Sequence, residues 1–496
     1  MPDLGPRRYA RPRSLAWANR AWPLGSRRLS IRLLAAFALV VAGAFSLCGQ
    51  ALAADAAEVQ RGAYLAVASD CTACHTKQGG KPFAGGLPLQ SPFGAIYATN
   101  ITPSKRFGIG AYALEQFSRA VRKGVRADGA HLYPAMPYTA YALMSDADIK
   151  ALYAYFMTSV APVEAPAPQS HLPFPFNIRL SMAAWNVLFL KEKRFEADPR
   201  ESPAWNRGAF LVRGPEHCGD CHTPRNLLMG ESGSRDLGGA DLGGWYAPNI
   251  TSDPNSGIGG WSQQALVDYL QTGHAAGKAQ TAGAMAEAID DSLGHLTTPD
   301  LNAIAVYLKT VAPVHEQADA RPAFAWGGGP VNGLDAIRGD PVPADPNAMS
   351  GPQLYDAYCA TCHNDAGQGT TDWQTPSLFH NAALGRTNTN NLVMVILHGI
   401  QRQTNPPAVP MPAFGHLTDH QIAVLGAHLV QTYGNPAARV TEDQVKTLRG
   451  GGPASPLLTV VWGAMLFAAA LALGVIVLIG MRIRGRRRAP PFIRGA

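Results

Sequence analysis

The sequence predicts an all-α protein of three tandem small domains closed by one C-terminal transmembrane helix. Three observations carry that expectation. A Cys-x-x-Cys-His motif occurs three times, as Cys71-Thr72-Ala73-Cys74-His75, Cys218-Gly219-Asp220-Cys221-His222 and Cys359-Ala360-Thr361-Cys362-His363. The surroundings of the first two copies recur at an offset of 146 to 149 residues: Gly62-Ala63-Tyr64-Leu65 as Gly208-Ala209-Phe210-Leu211, Asn100-Ile101-Thr102 as Asn249-Ile250-Thr251, and Gly108-Ile109-Gly110 as Gly257-Ile258-Gly259. Helix caps and helical apolar spacing pervade the repeats, while strand-like alternation is scarce. The length, 496 residues, agrees with about three domains at roughly 100 to 200 residues each.

From the N-terminus, residues 1–54 read as a signal peptide: an Arg-rich region to Arg32, an apolar run over 33–47, and small residues Ala51, Ala53 and Ala54 before Asp55. Ser26-Arg27-Arg28 matches a twin-arginine signal imperfectly, because Ser30 stands where that signal favours a large apolar residue. Cleavage discards Cys48 and leaves six cysteines, all in the three motifs. The first domain is expected over 55–165, a Pro-rich connector over 166–203, the second domain over 204–315, a Gly/Pro/Asp-rich linker over 316–348, and a shorter third domain over 349–435. Each ends in an amphipathic helix opened by a matching cap: Ser145 with Asp148, Thr297 with Asp300, and Thr418 with Gln421. The apolar island 174–190 in the connector is too short to span a bilayer with Arg179 inside it, so it is expected against a domain face or a partner. A further linker over 435–456 leads to the anchor at 457–481. Twenty-five residues without a charge exceed, at 1.5 Å each, a hydrocarbon core of roughly 30 Å. Arg482, Arg484, Arg486, Arg487 and Arg488 follow at once and place that end in the cytoplasm, with the body in the periplasm.

Charge excludes one function class. The net charge of +7 comes from the two Arg-rich ends, and the body between them is net acidic, so no basic nucleic-acid groove is expected. Gly108-Ile109-Gly110 lacks a preceding strand and is not a dinucleotide loop. No nucleophile elbow, phosphate loop or catalytic carboxylate pair is legible.

In Cys-x-x-Cys-His, two thiols can bond the vinyl groups of a haem and the adjacent histidine can reach its iron. Zinc would need a fourth ligand for each triplet, and unprotected cysteine pairs would oxidise in the periplasm. Three motifs therefore point to three covalently bound haem c groups, attached through Cys71, Cys74, Cys218, Cys221, Cys359 and Cys362 with His75, His222 and His363 on the irons. A methionine opposite histidine raises the potential and suits electron transfer. Met136 and Met411 lie on Pro-flanked loops before the last helices of copies one and three, and Met285 stands at the 149-residue offset from Met136, with Ala284 in place of the neighbouring proline. Met144, against the Ser145 cap, reads as packing, and the remaining scattered histidines as surface or hydrogen-bonded groups.

These residues resemble the tri-haem, membrane-bound cytochrome c subunits of periplasmic alcohol, gluconate, sorbitol and fructose dehydrogenases, over most of the mature chain. The likeness rests on the segments quoted above, the connector from Phe176-Asn177-Ile178-Arg179 to Trp185-Asn186, and the anchor. It implies three cytochrome c domains, an inner-membrane location, and a catalytic dehydrogenase subunit carrying pyrroloquinoline quinone or flavin, with a small third subunit as a further partner. It implies electron transfer from that alcohol- or sugar-oxidising subunit to ubiquinone, with no substrate-oxidising residues in this chain. The rival readings are an electron donor to a terminal oxidase and a multi-haem peroxidase or reductase, the latter needing a haem with an open sixth position.

Overall fold

The computed structural model describes residues 56–371, 375–402, 409–453 and 456–487. The signal peptide expected at 1–54 lies outside them. Buried apolar side chains gather in three clusters, around Leu65, Ile149 and Phe156, around Leu211, Leu301 and Ile304, and around Leu354, Ile422 and Val430. Each cluster is flanked by one Cys-x-x-Cys-His segment.

A close crossing between the first and last helices organises each repeat. In repeat one a helix over 56–68 meets Asp146–Thr158, in repeat two Pro203–Arg213 meets Thr298–Leu308, and in repeat three Gly351–Tyr358 meets Asp419–Tyr433. Glycine permits the approach. A Cβ on Gly62 would stand 1.9 Å from the Ala151 carbonyl oxygen, one on Gly208 1.9 Å from that of Ala303, and one on Gly351 2.5 Å from His428 Cβ. The recurring Gly-Ala-aromatic-Leu segment is thus a packing signature: Gly touches the partner helix and Leu65 and Leu211 fill the cores beside it.

The caps start the last helices as their sequences predict. Ser145 and Thr418 accept from the amides of Asp148 and Gln421, whose side chains bond back. Thr297 accepts from the Asp300 amide at 3.4 Å, but the Asp300 carboxylate turns away to Arg207, at 2.8 and 2.7 Å, and to the Tyr64 hydroxyl of repeat one. That carboxylate joins two repeats instead of closing its own cap.

Helices dominate, yet the described residues also hold three two-stranded antiparallel ladders: Pro88–Ser91 with Gly94–Tyr97, Ala240–Leu242 with Trp245–Ala247, and His274–Ala275 with Ala279–Gln280. Strands of two to four residues are too short to show alternation. The second has a local signal in Gly243-Gly244, both at positive φ (57° and 115°), the two-residue hairpin turn that glycine favours.

The connector's apolar island becomes a helix, Ser181–Phe189. Trp185 packs edge-on to Tyr138 and donates to the Leu228 carbonyl at 2.9 Å, and Asn186 joins the Tyr138 hydroxyl to the Lys123 carbonyl. Leu180, Val187 and Leu188 stay exposed on its other side. The segment expected as a linker after 435 instead carries a helix, Glu442–Arg449, whose Val445 and Leu448 enter the third cluster. Arg449 fastens it to Asp419 at 2.7 Å and to the Gly415 and Leu417 carbonyls. Val445 and Leu448 point inward from an otherwise polar helix, too few apolar positions to reveal the docking in sequence. The terminal helix, Pro456–Arg487, includes an apolar stretch long enough to cross a membrane.

Gly208→Ala should push the two helices of repeat two apart. The expected loss is about 1–3 kcal/mol or more, since overpacking at a backbone contact has little room to relax. Thermal unfolding of the variant checks this, and an unchanged midpoint would mean that the crossing is not tight.

Candidate cofactor sites

Each motif sits on a short helix right after the first long one: Cys71–His75, Gly219–His222 preceded by Cys218, and Ala360–His363 preceded by Cys359. One helical turn carries both thiols of a pair to the same side. All six thiols are free. Desolvation pushes Cys74 and Cys359 up to about 12 and raises Cys71 and Cys218 as well. Among the described residues no three His, Cys, Asp or Glu side chains converge as a metal site.

All three motif histidines are held in one way. Nδ1 of His75 bonds the Thr99 carbonyl at 2.6 Å, that of His222 the Pro248 carbonyl at 2.6 Å, and that of His363 the Pro376 carbonyl at 3.0 Å. Since a carbonyl only accepts, Nδ1 must carry the proton and Nε2 keeps its lone pair for a metal. Burial lowers the pKa of each ring, which keeps it neutral and able to ligate. The donor set thus fits a haem iron: paired thiols on one turn, and a histidine whose ligating nitrogen is fixed by a bond to the other.

The Asn-Ile-Thr segments hold those carbonyls in place. Asn100 Oδ1 accepts from the Thr102 amide (2.9 Å) and hydroxyl (2.7 Å), while its Nδ2 donates to the Val163 and Ala165 carbonyls. Asn249 repeats this with Thr251 and the Val314 carbonyl. Both loops are clamped to the chain beyond the last helix, and the residue just before each Asn supplies the carbonyl to His75 or His222. Gly108 and Gly257 close the clamp, each with a virtual Cβ within 2.2 Å of the Thr102 or Thr251 carbonyl oxygen. These segments shape the loop, as their turn chemistry suggests.

The three methionines occupy different local settings. Met136 precedes the turn Tyr138–Tyr141 at the edge of the first cluster. Met285 is the second residue of helix Ala284–Asp291 at the edge of the second. Met411 pairs through its backbone with Ile400, N to O at 3.0 Å in both directions. All three are partly exposed. Met144 is fully buried in the first core, a packing residue.

Sequence reasoning missed the junction between the first two motifs. Helix Cys71–His75 packs against helix Ala284–Asp291, which carries Met285. Tyr141 donates to the Ser69 carbonyl at 2.6 Å and stacks edge-on to His217, 5.7 Å between ring centroids. Carboxylates collect here: Asp70, at φ 49° with a buried Oδ1 lacking a hydrogen-bond partner, buried Glu216 against the Ser292 hydroxyl, and Glu287 with Asp291. Burial, then Asp291 and Glu287, holds the Asp70 carboxyl up at about 7. Burial and Asp70 raise Glu216 well above its ordinary range. Isolated acids scattered over 220 residues gave no pattern from which to foresee this.

Residues 57–156 and 346–429 match the family described as cytochrome c oxidase, cbb3-type, subunit III. The chain is 47% identical over 411 residues to a fructose dehydrogenase cytochrome subunit from Gluconobacter japonicus, covering 80% of this chain and 84% of the relative. It is 38% identical to a gluconate 2-dehydrogenase cytochrome c subunit from Pantoea cypripedii, covering 80% and 90%. It is likewise 38% identical to the cytochrome c subunit of an alcohol dehydrogenase (quinone) from Gluconacetobacter polyoxogenes, covering 86% and 92%.

The junction acids have a pH signature. Folded Asp70 keeps a proton that the unfolded chain releases near pH 4, so its contribution to stability is full below pH 4 and is lost as pH rises through about 7. Asp70→Asn should flatten the fall of the melting temperature across that window. A slope equal to that of the unaltered protein would assign the dependence to other groups.

Proposed function

The chain belongs to the family of cytochrome c subunits of dehydrogenases, and from that premise we propose a tri-haem electron carrier between a catalytic subunit and membrane ubiquinone. Membership makes it an electron-transfer protein with covalently bound haem c. The number of haems, the residues that hold them and the direction of electron flow are our reading.

The observation that carries it is the shared histidine geometry: three rings, each directly after a cysteine pair, each with Nδ1 spent on a backbone carbonyl. Cys71 and Cys74, Cys218 and Cys221, and Cys359 and Cys362 would form the thioethers, and His75 with Met136, His222 with Met285, and His363 with Met411 would hold the irons. Bound haem supplies one-electron transfer between ferric and ferrous iron. The chain fixes ring tautomer and orientation, sets each motif turn at the edge of a core, and brings the first two motifs together across the Tyr141 and His217 junction.

The partner in this reading is a dehydrogenase subunit that oxidises a sugar or alcohol with pyrroloquinoline quinone or flavin, accompanied by a small third subunit. The similar fructose, gluconate and alcohol dehydrogenase cytochromes support that class, and the quinone named for the alcohol enzyme supports ubiquinone as acceptor. The apolar helix followed by arginines supports a single anchor in the inner membrane, with its C-terminus cytoplasmic and the domains periplasmic.

Mass spectrometry of the mature chain should find three covalent haems, and a zinc protein without thioethers would overturn the reading. Met285→Ala should let carbon monoxide reach the middle iron and lower that haem's potential, because the thioether favouring ferrous iron is lost. Unchanged spectra and potential would assign the ligand elsewhere. Truncation after Gly452 keeps helix Glu442–Arg449 and removes only the anchor. It should release a soluble protein that still accepts electrons from the dehydrogenase but reduces membrane quinone poorly. Full quinone-dependent substrate oxidation by the released form would show that the anchor does not position the quinone-reducing end.

A further inference from the structure

Apart from the terminal helix, the chain exposes one gathering of apolar side chains. Most of the large apolar residues exposed elsewhere among the described residues lie on the connector over 174–188 and at Leu227 and Leu228. Helix Ser181–Phe189 holds no Asp, Glu, Lys or Arg. Its inner side rests on the loop that follows the second motif: Trp185 donates to the Leu228 carbonyl at 2.9 Å, and a Cβ on Gly230 would stand 2.2 Å from the Phe189 ring. Leu180, Ala184, Val187 and Leu188, at helical spacing, line the outer side, with Leu180 73% and Val187 85% exposed. Leu227 and Leu228 stand exposed on the supporting loop. Apolar patches of this kind mark a surface that is covered in use.

The base of the anchor lies on the same repeat. A Cβ on Gly452 would stand 2.6 Å from the Gly243 carbonyl carbon, in the turn between strands Ala240–Leu242 and Trp245–Ala247. Only residues 453–455 separate Gly452 from Pro456, where the long apolar helix begins, and that link spans at most about 14 Å when extended. The hairpin of repeat two is therefore held close to the membrane surface. A short run of contacts joins it to the apolar stripe. Strand Ala240–Leu242 packs against the motif helix Gly219–His222. Arg225, just beyond the motif, bonds the Asp220 carbonyl and carboxylate at 2.8 and 2.7 Å, and the loop it opens carries the connector helix. Charge beside the stripe suits phospholipid headgroups. Lys191 and Lys193 follow the helix and are exposed, Glu192 between them is drawn to Lys123 at 2.5 Å, and Lys193 meets Glu196 only at 4.0 Å.

We propose that helix Ser181–Phe189, with Leu227 and Leu228, is a second membrane contact: an interfacial helix that lies on the bilayer and brings repeat two against it. This rests on reading Pro456–Arg487 as the membrane anchor. A helix with an uncharged, apolar outer stripe buries that face at the headgroup boundary, and neighbouring lysines reach the anionic phosphates while their stems stay in apolar surroundings. One span through the bilayer leaves the body free to swivel about its link, whereas a second contact fixes which face meets the lipid. It holds the turn that carries Cys221 and His222 between the base of the anchor and the connector.

Photolabelling of the full-length protein, with its dehydrogenase, tests this in vesicles of phosphatidylethanolamine and phosphatidylglycerol that carry a diazirine near the top of the acyl chains. Mass spectrometry should find lipid adducts over 180–188 and at Leu227 and Leu228, as well as within 457–481. Val187→Asp with Leu188→Asp should abolish the adducts on the connector while those in the anchor persist. Leu227→Gln with Leu228→Gln, on a separate element, should lower the connector adducts too, so the test does not hang on one variant's folding. Adducts confined to 457–481 would overturn the inference alone, and connector adducts that survive both pairs of substitutions would equally contradict it. A photoreactive side chain in place of Val187 that links to the dehydrogenase subunit instead of lipid would make a protein the occupant and also overturn it. Absence of adducts from 457–481 would instead overturn the anchor reading on which the inference rests.

Discussion

Everything at the three sites depends on a backbone contact between two helices. Gly62, Gly208 and Gly351 let the first helix of each repeat lie directly on the last, so close that a methyl group at the first two would overlap a carbonyl oxygen of the partner. Because the Cys-x-x-Cys-His turn begins where the first helix ends, that contact sets where the paired thiols start and which way the histidine faces. The last helix also fixes the far side of the cofactor loop, since Asn100 and Asn249 are clamped to the chain just beyond it. One crossing therefore sets both the attachment turn and the carbonyl that holds the ring.

That coupling shows how so little sequence need be shared between the repeats. Thr99, Pro248 and Pro376 differ as residues but do one job, because only the backbone oxygen is used. The third repeat reaches the same ring geometry without an Asn-Ile-Thr segment, through Pro376 in its shorter loop. A carbonyl that accepts from Nδ1 leaves Nε2 as the ligating atom and makes the ring more basic, whichever residue supplies it.

Features with a local cause were legible in the sequence. The thiol pairs and their histidines, the caps at Ser145, Thr297 and Thr418, and the uncharged run after residue 456 each announce themselves within a few residues. Met144 could be set aside because it abuts a cap, and it is indeed core. Features made by approach between repeats were not. Asp300 has the sequence of a capping residue and the role of a tie between repeats, because Arg207 and Tyr64 compete successfully for its oxygens. Helix Glu442–Arg449 looks like a polar tether and is held by two apolar residues and one arginine. Its docking leaves only a few residues between the third core and the anchor.

The contacts between repeats argue against three independent beads on a string. Asn391 of the third repeat exchanges two hydrogen bonds with the backbone of Tyr246, both at 2.8 Å, as a missing strand would, and Trp245 beside it packs on the third core. Arg402 and Asp290 form a buried pair across the same boundary, and losing one partner of such a pair typically costs about 3–5 kcal/mol. At the other boundary Tyr64, Tyr141 and His217 connect repeats one and two, with Asp70 and Glu216 desolvated between them. A cofactor's potential is set by burial, nearby charge and hydrogen bonding as much as by its axial ligands. In this chain neighbouring repeats contribute to them: Glu287 and Asp291 of repeat two act on Asp70 beside the first motif. Motifs that are nearly alike in sequence can thus be given unequal surroundings by what each neighbour contributes, without any change in the motif itself.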